Sequence, residues 1–209
     1  MNSGSKSRRM KPDDRRQHLM EAAITCFSQY GYQGTTTARL ARAAHVSEPV
    51  LYRHFKSKQE LFASLVEEVG KEVIRAWRQA IAPLKSPMDR LRVLFRLNPA
   101  ITDPRTKQLY QVIFMAQTEI ADPKVQAALR DHYQQYAKFL SNLIKRAQRA
   151  GQVRSDVSAD GLAWQLVHAA IGFAFIKPLA IPGHATPATV EQTIGLLIEM
   201  LAGDRQGDG

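Results

Sequence analysis

The chain has a single cysteine, Cys26, in 209 residues, so no intrachain disulfide can form. A lone thiol and no secretory signal make a reducing cytoplasm the simplest compartment. Cys26 lies among apolar helical neighbours and reads as a small core residue. Residues 1–12 are polar and basic and have no apolar core of the kind a signal peptide carries. Long apolar runs are scarce as well. The longest, Leu162 to Ala174, is broken by Gln165 and His168 and falls short of the roughly 20 residues a bilayer span needs. Strand-like alternation, internal repeats, metal-ligand spacing and glycine-rich phosphate loops are all absent, so no cofactor and no metal is expected.

Acidic residues are the next shortage. Lys and Arg number 29 against 19 Asp and Glu, a formal net charge of +10. The excess is concentrated at the start. Residues 1–58 hold eleven basic side chains and only four acidic ones, Asp13, Asp14, Glu21 and Glu48. A polyanionic partner therefore belongs to the N-terminal quarter, with nucleic acid as the leading class. A membrane-surface role is weaker, because these cations do not align on one amphipathic face.

What remains reads almost throughout at the helical period. Asp13 or Asp14 caps a first helix striped by Leu19, Ala23, Phe27 and Tyr30 and stopped at Gly31. Short helices are expected at 36–44 and 47–55. Ser57-Lys58-Gln59-Glu60 has the form of a capping box opening a longer helix. Pro83 and Pro87 mark a break. Further helices are expected from Met88 to Leu97, from Asp103-Pro104 to about Ile120, and from Asp122-Pro123 to Gly151. Two more start near Ser158 or Asp160 and at Thr186-Pro187. The fold class is all-α. The expected organisation is a flexible basic arm (1–12), a helix-turn-helix domain (13–73, motif 36–55), a helical regulatory and dimerisation domain (74–203) and a tail (204–209).

The stretch Thr36 to Phe55 carries the chemistry. Leu40, Ala41 and Ala44 give the first short helix a small apolar face that lets a second helix approach closely. His45-Val46 forms the turn, with Val46 as a buried plug. Ser47 caps the second helix, and Pro49 lies in its first turn, where no backbone donor is needed. Leu51 and Phe55 anchor that helix inward. Glu48, Val50, Tyr52, Arg53 and His54 are left for the outward and flanking faces. A short helix so mounted fits the major groove.

Three pieces together resemble the TetR family of bacterial transcriptional regulators. They are Phe27-Ser28-Gln29-Tyr30-Gly31-Tyr32, then Gly34-Thr35-Thr36-Thr37, then Val46-Ser47 followed by Leu51-Tyr52-Arg53-His54-Phe55-Lys56-Ser57-Lys58-Gln59-Glu60-Leu61. The resemblance covers about residues 14–66 and implies roles. Thr37, Ser47, Tyr52, His54 and Lys58 fall where family members contact phosphates, and Glu48, Pro49 and Val50 where base edges are read. Arg39 is a further phosphate or base contact, and Thr36 and Arg53 complete the candidate DNA-binding set. The basic residues of the arm and the domain start, Arg8, Arg9, Lys11, Arg15 and Arg16, are expected to add salt-sensitive affinity. One departure is visible: His45 stands in the turn where the family usually has glycine. Histidine is among the residues that tolerate a left-handed backbone.

One short recognition helix makes few base contacts, so a homodimer on a palindromic operator is expected. The last two helices are the candidate interface, because a helix apolar nearly all round needs cover on several sides. The resemblance implies the same, and it implies a small-molecule pocket in the larger domain. Phe95, Tyr110, Phe114, Met115, Trp164, His168 and Phe173 are the candidate lining for an apolar or amphipathic effector. The leading expectation is a ligand-released repressor acting in the cytoplasm, on the nucleoid when operator-bound. A ligand-independent DNA-binding regulator is the alternative, which a sealed core would favour. An enzyme is not expected: Asp131, His132 and Tyr133 point in different directions on a helix.

Overall fold

The computed structural model describes residues 12–97, 104–119 and 121–202. The arm expected at 1–12 (Pro12 apart) and the tail expected at 204–209 lie outside them, as does the side chain of Met115. Every regular element among the described residues is helical, in nine α-helices: α1 Pro12–Gly34, α2 Thr37–Ala43, α3 Glu48–His54, α4 Lys58–Ile81, α5 Pro87–Arg96, α6 Pro104–Glu119, α7 Pro123–Arg149, α8 Ala159–Ile176 and α9 Pro187–Ala202. A 3-10 turn, Lys177–Leu179, extends α8.

The helix starts follow local chemistry. Thr36, Ser86, Asp122 and Ser158 each accept a backbone N–H from the first turn of the helix that follows. Ser57 accepts the Glu60 N–H at 3.1 Å. Glu60 returns to the N–H of Lys56 rather than Ser57, also at 3.1 Å, so the box closes one residue early. Ser47 stands at the cap position of α3, but its side chain makes no capping bond; that expectation is corrected. Gly31 takes the left-handed φ of +66° that ends regular helix, and one further turn runs to Gly34.

The first four helices close around an aromatic cluster. Phe27 stacks on Tyr32 at 5.7 Å, and both meet the Phe62 ring edge-on at 5.4 and 5.2 Å. Leu19, Leu40, Leu51, Phe55 and Leu61 seal it. Beyond it, α4 packs along α7, α7 along α8, and α6 returns to α1. The α7 stripe expected from Val125 to Ala147 is buried, with Tyr133 at its edge.

Helix α8 buries only one face, through Leu162, Ala163, Leu166 and Val167. Trp164 is exposed at 37%, Phe175 at 61% and Leu179 at 68%, and Leu196 of α9 at 66%. With its 3-10 extension the segment Ala159–Leu179 has 21 residues and a mean hydropathy of 1.3, long and apolar enough to cross a membrane. This corrects the sequence-based length exclusion, which counted only the uninterrupted apolar core and not the flanking turns. The polar residues within it, Asp160, Gln165, His168 and Lys177, are too few to bring it below that limit.

Candidate functional site

Helices α2 and α3 meet across a turn whose hydrogen bonding is fully specified. His45 N–H bonds the Arg42 carbonyl at 3.1 Å, and Val46 N–H bonds the Ala41 carbonyl at 2.9 Å. This is the Schellman pattern, with His45 at the left-handed position, φ +52°. His18 of α1 braces the turn, its Nε2 lying 3.0 Å from the Ala44 carbonyl. Leu51 and Phe55 face inward, as the spacing predicts, while Val46, expected as a buried plug, packs on the core only half-buried.

The outward side of α3 presents Pro49, Tyr52 and Arg53, with Tyr52 48% exposed; Val50 and His54 are half-buried beside them. Ser47 is exposed at the helix entrance, and Thr36 is exposed where it caps α2. The starts of α2 and α3 are bonded together. Thr37 Oγ1 donates to Glu48 Oε2 at 2.8 Å, and the Tyr52 hydroxyl lies 3.4 Å from Thr37 Oγ1. Glu48, Thr37 and Tyr52 therefore form one unit, in which Glu48 orients the hydroxyl of Thr37. Arg39 stacks over the Tyr30 ring at 4.4 Å. Among the described residues no ion pair neutralises Arg39, Arg42, Arg53 or Lys56.

Two basic residues are committed to the fold. Lys58 Nζ donates to the Tyr32 carbonyl at 2.9 Å and lies over the Tyr32 ring at 4.3 Å, clamping α4 to the end of α1. Partial burial pulls its pKa below the usual lysine value. Arg16 reaches Ser64 Oγ at 3.0 Å and the His54 carbonyl at 3.4 Å, and its guanidinium covers the Phe55 ring at 4.3 Å. The sequence placed Arg16 with the arm; it belongs to the scaffold of the reading head. Its neighbour Arg15 is half-buried too; the contacts of Arg16 to residues far along the chain are what set it apart.

In the other half a cavity of about 150 Å³ opens among α4 to α9. Of the expected lining residues, Phe95, Tyr110, Phe114 and Phe173 border it. Trp164 and His168 do not. Their rings lie 5.9 Å apart, tilted by 30°, on the exposed face of α8. The sequence missed Trp77, Tyr133 and Tyr136, which also line it. Trp77 donates its indole N–H to the Leu97 carbonyl at 2.9 Å, and its ring lies 5.0 Å from that of Tyr136. Beside the cavity, buried His132 places Nε2 at 2.9 Å from the Tyr110 hydroxyl, which bonds the Tyr136 hydroxyl at 2.8 Å. Desolvation pushes the His132 pKa down to about 4, partly offset by the Val66 carbonyl. Asp131, its neighbour on α7, is exposed, so the two do not converge.

Comparison with known proteins agrees with this geometry. The family model for bacterial regulatory proteins of the tetR family matches residues 19–65. A second model, the C-terminal domain of SbtR-like transcriptional regulators, matches residues 109–192. The transcriptional activator FasR of Mycolicibacterium smegmatis is 30% identical over 156 residues, 74% of this chain and 69% of its own. The transcriptional repressor AcnR of Corynebacterium glutamicum is 27% identical over 73% of this chain and 76% of its own. In fold, a transcriptional regulator from Pseudomonas aeruginosa PAO1 superposes with a TM-score of 0.79 at 22% identity, covering 94% of each chain. A helix-turn-helix whose recognition face is free, joined to this all-helical body and to relatives of this extent, makes the chain a member of the TetR family: a DNA-binding transcriptional regulator.

Proposed function

We propose that the chain is a repressor that binds a palindromic operator as a homodimer and is released by a small apolar or amphipathic effector. The observation that carries the reading is the pairing of a solvent-facing recognition helix with a separate cavity of about 150 Å³ in the same chain. Residues 13–73 serve as the DNA-binding domain and 74–203 as the regulatory and dimerisation domain. Thr37, Ser47, Tyr52 and His54 meet phosphates, while Glu48, Pro49 and Val50 read base edges; Thr36, Arg39 and Arg53 flank them, and Lys58 supports the face through its clamp on Tyr32. The exposed apolar face of α8 and α9 is covered by a second copy, which explains a membrane-like helix without a membrane. The work is done in the cytoplasm, on the nucleoid when DNA is bound.

The cavity favours effector control over a ligand-independent regulator, for which the core would be sealed. Release follows if the effector binds more tightly to a state in which the two recognition helices no longer match successive major grooves. Selection of bound genomic fragments by the purified protein tests the reading. The expected product is a palindrome with half-sites about one helical turn apart. Two copies bind it, and affinity falls about a thousandfold or more between roughly 50 and 200 mM salt. Transcription from that site rises when the gene is deleted. Sequence-blind, salt-insensitive binding overturns the proposal.

A further inference from the structure

The cavity lining is mostly apolar; besides Tyr110 and Tyr136, its polar groups are Trp77, Tyr133 and Thr193, which bond the Leu97 carbonyl, Gln117 and the Thr189 carbonyl. Among the described residues that line it, none is charged. Tyr110 and Tyr136 border it, and their hydroxyls join with His132 Nε2 into a chain of three polar groups. His132 is buried, and its Nδ1 reaches no hydrogen-bond partner. The Val66 carbonyl faces the ring from α4 without bonding geometry. A Cβ on Gly70 would come within 3.0 Å of Nδ1, so the glycine lets α4 lie directly against the imidazole.

Counting hydrogens along the chain leaves one end open. In the Nε2–H tautomer, His132 donates to Tyr110 and Tyr110 to Tyr136, and the hydrogen of Tyr136 has no acceptor in the chain. In the Nδ1–H tautomer, facing Val66, the order reverses and the Tyr136 oxygen keeps an unused lone pair. In both, Tyr136 is the terminal member, at the cavity. Burial holds the pKa values of both tyrosines above the usual phenol value, so they stay neutral. Charge on a guest would go uncompensated. Lys107 and Lys177 border only a neighbouring cleft of about 10 Å³, which has no more space than one water.

We propose that Tyr136, held by Tyr110 and His132, is the polar anchor of the cavity, and that the effector is an uncharged, compact apolar molecule bearing one hydroxyl. A cavity of this volume with an apolar lining suits a guest of about the size of a benzene ring. A hydroxyl both gives and accepts, so it satisfies Tyr136 in either tautomer. The inference rests on the cavity being the effector site.

Calorimetric titration of the purified protein with phenol, toluene and benzoate, repeated on Y136F and Y110F, tests it. Phenol and toluene share a shape, and only phenol has the hydroxyl. Phenol and toluene bind the native protein and benzoate does not. In Y136F, phenol weakens about three- to tenfold, the range of one hydrogen bond, while toluene is unchanged. Y110F, which cuts Tyr136 from His132, weakens phenol in the same direction, and thermal melts show that each variant is folded. Unchanged phenol affinity in both variants overturns the anchor but leaves the cavity as an effector site. Benzoate binding as tightly as phenol overturns the uncharged class and shifts the anchor to Lys107 and Lys177. Failure of every probe to bind overturns the anchor and the cavity reading together.

Discussion

Protonation of His132 offers a quantitative test of the packing between α4, α6 and α7. The side chain is only 2% exposed, and burial lowers its pKa from 6.5 to about 4. In the unfolded chain the imidazole takes up a proton near pH 6.5; in the folded protein it stays neutral down to about pH 4. Between those values the unfolded state binds more protons, so stability is fully present above pH 6.5 and is lost as pH falls toward 4. At about 1.4 kcal/mol per pH unit, that window amounts to about 3 kcal/mol. This is a large share of a total stability on the order of 5–15 kcal/mol. Urea unfolding of the native protein and H132F at fixed concentration, in steps from pH 7 to 4, isolates the effect, because all other titrating groups are common to both. The native protein is expected to lose about 3 kcal/mol relative to H132F across the window. A difference independent of pH, or a His132 ring proton that titrates near 6.5 by NMR, refutes the reasoning.

Two further perturbations test the turn and the interface. His45 holds a left-handed φ of +52° in an otherwise satisfied Schellman turn. H45G removes about 1–2 kcal/mol of steric strain and adds about 0.5–1 kcal/mol of chain entropy. The net gain of about 0.7 kcal/mol should raise the melting temperature by roughly 1–3 °C by calorimetry, with operator affinity kept; a lower melting temperature contradicts the strain. L196E places a carboxylate on the exposed apolar face of α9. If a second copy covers that face, light scattering shows the dimer constant weakened at least about a hundredfold, from a penalty of several kcal/mol, and operator binding falls with it. An unchanged dimer moves the interface elsewhere.

Much of the reading head was legible because each of its residues answers a local rule. Pro49 enters the first turn, Leu51 and Phe55 repeat at four, and His45 takes the left-handed position of the turn; the Thr36 cap was not read, and the Ser47 cap that was read makes no bond. Arg16, His18 and Lys58 escaped because their partners lie 26 to 48 residues away. No local pattern encodes such distances, and a cation that clamps a carbonyl looks in sequence like one awaiting a phosphate. The cavity was legible in part for a different reason. Helix α6 has polar and apolar sides, and Tyr110 and Phe114, four apart, fall on one of them. Helix α8 is apolar nearly all round, so periodicity gives no phase. Trp164 and His168 were consequently placed inside although they face out. Trp77 and Tyr136 sit on stripes that read as ordinary core, and only their meeting reveals a gap between them.

Helix α4 is where the two functions touch. Its first turns bury Leu61, Phe62 and Leu65 in the cluster that carries α2 and α3. Its middle meets His132 at Val66 and Gly70. Its last turns supply Val73 and Trp77 to the cavity. No proline interrupts Lys58–Ile81, so the helix moves largely as one body rather than bending at a hinge. Lys58 fixes its head to α1, and the bond from Trp77 to Leu97 fixes its tail to the end of α5. A guest that displaced Trp77 or Tyr136 would therefore act on α4 against two clamps and one close contact. The mid-helix glycine is the telling residue. It sacrifices about 1 kcal/mol of helix propensity relative to alanine, and in return α4 sits against His132, the inner end of the chain that starts at the cavity wall. Under the proposed effector reading, the contact between Gly70 and His132 is where occupancy of the cavity reaches the DNA-reading head.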